Sequence, residues 1–418
     1  MTKSEKLELA LNHRSGPVPI DLGGTSTTGI HVSVVEKLRE YYGLERKPIR
    51  VQEPGQMLGT IDDDLKEALG IDTTSVWSPN TNMGIPNIGE KEWRTPWGQV
   101  VLMPENFTYT TDKQGRILVY PGGDTTCEPS LMMPQNFYSF DAIVRGHNFD
   151  EDNPHVEDNL EDFKEITPEA LDCIKERLEA AKKTPYARIG SFGGTAVGDV
   201  AHVPGSALKH PKGLRDISEW YVALINSPDY IHQIFEYSTD VGLKNLEKVK
   251  NIVGNDVQVA YICGADFGTQ IAPLCSKELF RELYMPYYKK INNWIHENTT
   301  WKTFKHCCGS IYPLIPELIE AGFDILNPVQ WTAKNMDPKA LKKEFGQNIV
   351  FWGGGVNTQK TLPFGTPEEV RKEVLEMCEI FSQNGGFVFN TIHNIQALTP
   401  AENVVALVNA VKEFNGEA

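Results

Sequence analysis

Short runs of β-branched and aromatic residues alternate along this chain with longer stretches whose apolar positions recur at helical spacing. That alternation predicts βα units feeding a parallel sheet. Eight runs read as strands: PIDLG (19–23), DTTSVW (72–77), ARIGSF (187–192), VAYICG (259–264), KTFKHC (302–307), DILNPV (324–329), IVFWGG (349–354) and GFVFNT (386–391). The second and third carry the weakest pattern. Helix starts are better marked. Thr366-Pro367-Glu368-Glu369 and Thr399-Pro400-Ala401-Glu402 read as capping boxes with proline at the first helical position, and Thr167-Pro168 opens a helix in the same way.

Between about 78 and 160 the alternation breaks. WGQVVLMPENFTYTTDKQGRILVYPGG alternates and turns like an antiparallel meander, and FDEDNPHVEDNLEDF (149–163) reads as an acidic loop. Eight strands with intervening helices are the number that closes a barrel. The predicted fold is therefore a single (β/α)8 TIM-barrel domain over 1–418, with 78–160 inserted near the barrel mouth.

Composition narrows the function. Hydrophobic residues make up 40% of the 418, enough for a large core, and the formal net charge is −16. With no run of Lys or Arg to contact phosphates, nucleic acid is not an expected partner. No apolar stretch approaches the roughly 20 residues of a membrane span, and the start has no secretory pattern, so the expectation is a cytoplasmic enzyme. Seven cysteines in a chain this long are not a disulfide framework. Cys127, Cys173, Cys275 and Cys378 lie apart and read as small hydrophobes or incidental thiols.

In this fold the chemistry belongs on the loops after the strands. Lys305-His306-Cys307-Cys308-Gly309 ends one of them. Residues two apart in a strand share a side, so His306 and Cys308 can address one point as a zinc-type ligand pair; the alternative is a core histidine beside packing cysteines. Asn390-Thr391-Ile392-His393-Asn394 ends the last strand, where His393 could approach that pair or merely fix a turn. Asp266 follows another strand and is open as ligand, general base or partner of a ligand histidine; Cys263 there reads as core. Asn327 and Gln330 could orient a substrate or satisfy backbone groups. The glycine-rich stretches 23–29 and 352–356 fit no phosphate-loop pattern and read as tight turns.

Taken together, DFGTQ (266–270), SKELFRELYMPYYK (276–289), HCCG (306–309), EAGFDILNPVQ (320–330) and HNIQ followed by TPAEN (393–403) resemble, in order and spacing, the uroporphyrinogen decarboxylase superfamily. That group also contains zinc-dependent methyltransferases of corrinoid systems. The N-terminal half matches loosely apart from PVPIDLG (17–23), while YPGGDTTCEPS (120–130) looks like a methyltransferase-like subgroup. Decarboxylation of a many-carboxylate tetrapyrrole calls for arginines after the first strand, and DLGGTSTTGIHVSVV has none. The resemblance therefore implies the methyltransferase branch.

In that branch a His-x-Cys pair and a distant Cys hold the metal. His306 and Cys308 match the pair, but His393 stands where those members have Cys. The implied site has His306, Cys308 and His393 on zinc, with Asp266 and His393 catalytic and Asp266 a rival ligand. Gln270, Asn327, Gln330 and Asn394 are the implied substrate-binding residues. The implied reaction moves a methyl group between a small methylated compound, above all a methoxylated aromatic, and a corrinoid (cobalamin) carried by a partner protein. Zinc then acts as Lewis acid on the ether oxygen. Trp301, Trp331, Trp352, Tyr261 and Phe267 near strand ends would suit an aromatic ring. The runner-up is a metal-free decarboxylase or lyase in which His393 and Asp266 handle protons; a corrinoid or tetrapyrrole carrier would leave the His/Cys/Asp cluster without a task. Dimers are common in the superfamily, and a homodimer is the assembly the resemblance allows.

Overall fold

The computed structural model of the protein describes residues 1–146, 149 and 154–417. Seven parallel strands form one sheet. Their order along it is Phe387–Val388, Val350–Trp352, Ile325–Asn327, Lys302–His306, Val259–Cys263, Ala187–Ser191 and Thr73–Trp77. Each expected strand from 72–77 onward is thus found. The two with the weakest sequence pattern pair over five consecutive positions, from Ala187 opposite Thr73 to Ser191 opposite Trp77. This is an α/β sheet consistent with a TIM-like barrel.

The first expected strand is not a strand. Segment 19–21 is reduced to a bridge, Ile20 to Phe389. It nevertheless touches both edges of the sheet: Asp21 N–H donates to Phe389 O (2.9 Å), Phe389 N–H to Pro19 O (2.8 Å) and Asp72 N–H to Ile20 O (2.8 Å). Proline at 17 and 19 and the turn from Gly23 leave too few donors and too short a run for a ladder.

Alternation along the strands sorts side chains into two cores. Ala187, Ile189, Val259, Phe304, Ile325, Val350, Trp352 and Val388 point inward, and Leu7, Ala10 and Leu11 of helix Lys3–Leu11 join the same cluster. That helix covers the end where the strands begin, so the open mouth lies where they finish. Outside, amphipathic helices close over the sheet. Pro367–Phe381, for instance, buries Val370, Val374, Met377, Cys378 and Phe381 along one stripe. Among the described residues no helix is long and apolar enough to cross a membrane.

Helix starts follow the sequence with one exception. Thr366 forms a reciprocal capping box with Glu369, and Thr167 accepts from Ala170 N–H ahead of Pro168. The expected box at Thr399 is absent. Its hydroxyl donates back to Gln396 O (2.9 Å), and helix Ala401–Phe414 begins after Pro400 without a side-chain cap.

The insertion contains the expected antiparallel meander, together with a mixed sheet in which Ile49–Glu53 runs parallel to Val100–Met103. Strands Tyr109–Thr111, Ile117–Val119, Leu131–Met133 and Asp141–Ala142 form the meander. A second four-stranded sheet joins Lys91–Arg94 and Val100–Met103 to Ile49–Glu53 and Leu58–Gly59, which precede the expected boundary. Of the acidic stretch 149–163, residues 150–153 lie outside the described residues; Val156–Asn159 is a short 3-10 turn.

Candidate metal centre

The strand Lys302–His306 turns His306 inward at the mouth, one step above Phe304. Its Nε2 lies 3.3 Å from Cys308 Sγ. The last strand ends at Val388, and the chain turns so that the His393 ring meets the His306 ring edge-to-face at 5.2 Å between centroids. One ligand atom from each of His306, Cys308 and His393 lies within 4.8 Å of the other two. The expectation that these strand ends converge is met in space. His393 sits at φ 145°, a region side chains seldom adopt, and strain of this kind collects at functional sites.

Around the three donors the loops are tied backbone to side chain. Asp266 Oδ1 accepts from Cys308 N–H (2.6 Å) and lies 3.7 Å from His306 Nε2, with its side chain 41% exposed. Gln330 Oε1 accepts from Gly309 N–H (2.7 Å). Glycine is required at 309: φ is +92°, and a Cβ would stand 2.4 Å from the Gly268 backbone, so the two loops could not touch. Cys307 faces away from the site. It is buried, accepts from Phe267 N–H through sulfur (3.2 Å), and burial pushes its thiol up to about 12. Cys263 is buried too, with Ala265 N–H donating to its sulfur (3.3 Å).

Burial sets the charge state of the donors. It drives His393 down to about 4, helped by neighbouring His306 and opposed by Asp266. His306 is also lowered, by burial first, against the pull of Asp266 and Asn327. Burial, then Asp266, raises the Cys308 thiol well above its ordinary range. Both imidazoles are therefore neutral and can offer lone pairs, whereas Cys308 must lose a proton to serve as a thiolate ligand. Two nitrogens and a sulfur are a donor set that zinc accepts. Bond lengths of about 2.0–2.3 Å put tetrahedral ligands roughly 3.3–3.8 Å apart, so the present spacing needs only a small contraction.

The implied substrate-binding residues are placed differently. Asn327 and Asn394 are fully buried and bonded within the chain: Asn394 to Gly29 N–H, Ser26 O and Gln56, Asn327 to His306, Thr27 and Trp352 O. Gln330 is buried on Gly309, and Gln270 is exposed, with its carbonyl accepting from Lys334 N–H. Of the aromatics expected at the mouth, Trp301, Trp352 and Phe267 are core residues; only Trp331 and Tyr261 keep partial exposure. Both glycine-rich stretches are turns, and Gly353 and Gly355 donate to Val388 O and Asn390 O, carrying the chain that leads to His393.

Sequence reasoning missed Asp199. It begins the 3-10 turn Val200–His202, and its charge acts on His306, Tyr261 and Tyr221. Its Oδ2 and the Tyr261 hydroxyl both stand within 3 Å of where a Cβ on Gly264 would be, so this glycine lets them face one another. Only the folded loop reveals it, because Asp199 stands eight residues beyond its strand. The strongest charges acting on His306 are Asp266, Lys305 and Asp199, with no arginine among them.

Residues 206–414 match the family model for uroporphyrinogen decarboxylase. Among curated proteins the chain is similar to the uroporphyrinogen decarboxylases of Chlorobium phaeobacteroides (29% identity, 40% of this chain, 48% of the relative) and Ruthia magnifica (23%, 46%, 52%). A shorter match, to that of Pseudoalteromonas translucida, is 31% identical over 25% of this chain and 27% of the relative. The chain thus spans about half, or less, of the length of these relatives. Among solved structures, a methyltransferase from Methanosarcina mazei shares the fold at a TM-score of 0.56 and 16% identity, over 99% of both chains.

Proposed function

This chain belongs to the uroporphyrinogen decarboxylase family, and from that premise we propose that it is a zinc-dependent methyltransferase. It moves a methyl group between a small methylated compound, a methoxylated aromatic above all, and a corrinoid carried by a partner protein. The observation that carries the reading is the His306–Cys308–His393 group at the barrel mouth, with ligand atoms within 4.8 Å of one another. The fold shared with a methyltransferase supports it. Residues 1–418 act as one domain, with 78–160 as an insertion within it.

His306, Cys308 and His393 hold the metal, and Asp266 steadies Cys308 through its backbone N–H while remaining a rival ligand. When bound, zinc supplies a Lewis acid toward the oxygen or sulfur that bears the methyl group. Asp199 and Tyr261, whose polar atoms face one another over Gly264, are assigned as polar anchors for the rest of the substrate. The runner-up, decarboxylation of a tetrapyrrole, takes support from the names of the curated relatives. It is disfavoured by the first loop, GGTSTTG (23–29), which carries threonines and no arginine, since a polyanionic substrate needs arginine there.

Metal analysis tests the proposal directly. Protein purified without added metal should hold about one zinc per chain through its His/Cys donors, and Cys308→Ala should lose most of it while keeping its circular dichroism. Full zinc retention in Cys308→Ala, or enzyme-like release of CO2 from uroporphyrinogen by the wild type, would overturn the assignment.

A further inference from the structure

We infer that Asn327 and Thr27 are positioning residues that fix the tautomer of His306, leaving Nε2 as its lone-pair nitrogen. This rests on the reading that His306 binds metal through Nε2. Asn327 Oδ1 lies 2.7 Å from His306 Nδ1. Which end of the amide faces the ring is decided by its other partner: Nδ2 donates to Trp352 O (2.8 Å), a group that can only accept. The oxygen therefore faces Nδ1, and an acceptor opposite a ring nitrogen requires that nitrogen to carry the proton. The Thr27 hydroxyl donates to the same oxygen (3.1 Å) and occupies its second lone pair, so the amide has no cause to turn.

The arrangement is built into the fold. His306 and Asn327 are register partners on adjacent strands, and Cys307 N–H donates to Asn327 O (2.6 Å). His306, Asn327 and Thr27 are all buried. Gly353 makes room: a Cβ there would lie 3.2 Å from Asn327 Nδ2 and 2.8 Å from Thr391 O. With Nδ1–H committed to the amide, Nε2 is left as the acceptor facing Cys308 Sγ (3.3 Å), and loss of the thiol proton frees both atoms for a metal. A ligand histidine held in this way loses no affinity to the wrong tautomer. Thr27 also gives the loop at 23–29 a task. Where a decarboxylase would need arginine toward its substrate, this loop turns a hydroxyl inward to brace a ligand.

The test reads the tautomer before any metal is added. In 15N-histidine-labelled, metal-free protein, two-bond proton–nitrogen correlations should show His306 protonated at Nδ1 only, and Asn327→Asp, which keeps an acceptor, should preserve that pattern. Asn327→Leu should give mixed tautomers and lower the affinity for added cobalt(II), read from its ligand-field absorption, by about 10- to 100-fold. Thr27→Val should produce a smaller fall in the same direction without altering the circular dichroism. A proton on Nε2 in the wild type overturns the inference, and so does an unchanged tautomer and cobalt affinity in folded Asn327→Leu or Thr27→Val. The expected tautomers in every variant, with no metal bound by any, would uphold the positioning role and sink the metal reading instead.

Discussion

His393 is the residue at which this chain leaves the methyltransferase pattern, and the geometry makes its role testable on its own. Its ring lies against that of His306, its backbone is held at φ 145°, and burial keeps the imidazole neutral, as a metal donor must be. If it completes the ligand set, His393→Cys should retain zinc, because thiolate is at least as good a donor, while His393→Ala should bind far more weakly. Wild-type zinc content in His393→Ala would remove it from the set and leave Asp266, 3.7 Å from His306 Nε2, as the third ligand. At this scale the sequence was readable where strand geometry decides the outcome. His306 and Cys308 do address one point, as their spacing suggested, although the strand ends at His306 and the turn after it brings Cys308 round; the approach of His393 follows from converging strand ends. The work of Asn327 and Asn394 was not readable. An amide at a strand end looks the same whether it faces substrate or is spent on the protein's own groups, and only the partners separate the cases.

At the scale of elements, the insertion and the barrel meet at a histidine. His31 caps helix Val32–Tyr41: its Nδ1 accepts from Ser33 N–H (3.2 Å), and its Nε2–H donates to Tyr138 O (2.9 Å) in the turn between the meander strands Leu131–Met133 and Asp141–Ala142. Trp97 and Tyr138 pack against the ring. Protonation would put a proton on the capping nitrogen, and burial accordingly lowers His31 to about 4. The unfolded chain binds that proton near 6.5 and the folded chain only near 4. The contribution is thus whole above about pH 6.5, falls between 6.5 and 4, and is constant below; its full size is about 3 kcal/mol. Urea unfolding followed by Trp fluorescence should show this loss between pH 6.5 and 4, and His31→Asn, which still caps but does not titrate, should flatten it. An equal slope in His31→Asn would mean other groups carry the acid dependence. The same region marks where the pattern was illegible. Ile49–Glu53 resembles any half-buried strand, and nothing local says that its partner is Val100–Met103, fifty residues on.

For the molecule as a whole, the decisive feature is the seam between Thr73–Trp77 and Phe387–Val388, where an eighth strand is expected and a single bridge is found. Side chains do there what ladder bonds do elsewhere. Asp21 Oδ2 accepts from Trp352 Nε1 (2.8 Å), and Oδ1 accepts from Thr73 Oγ1 (2.5 Å) and Gly24 N–H (2.9 Å). Asp72 Oδ2 accepts from Ile20 N–H (2.8 Å) and meets Lys6 Nζ at 3.1 Å, linking the seam to the helix that covers the barrel floor. All of these carboxylates and Lys6 are buried, so a buried group that loses a partner here cannot turn to water in its place. Asp72→Ala, which leaves the buried Ile20 N–H unpaired and Lys6 with only the part-exposed Glu417 at 3.4 Å, should cost about 1–3 kcal/mol. Lys6→Met, which leaves Asp72 its bond to Ile20 N–H and the neighbouring Lys3 at 3.6 Å, should cost less. Because the loss is local, native-state hydrogen exchange is the measurement to make. In Asp72→Ala the amides of Asp21, Asp72 and Phe389 should exchange through a lower-energy opening than those of Val259–Cys263 and Lys302–His306, which lie in the middle of the sheet. Uniform acceleration across all seven strands would show that the seam opens only with the whole barrel, and that the bridge at Ile20 is as strong a closure as a full strand.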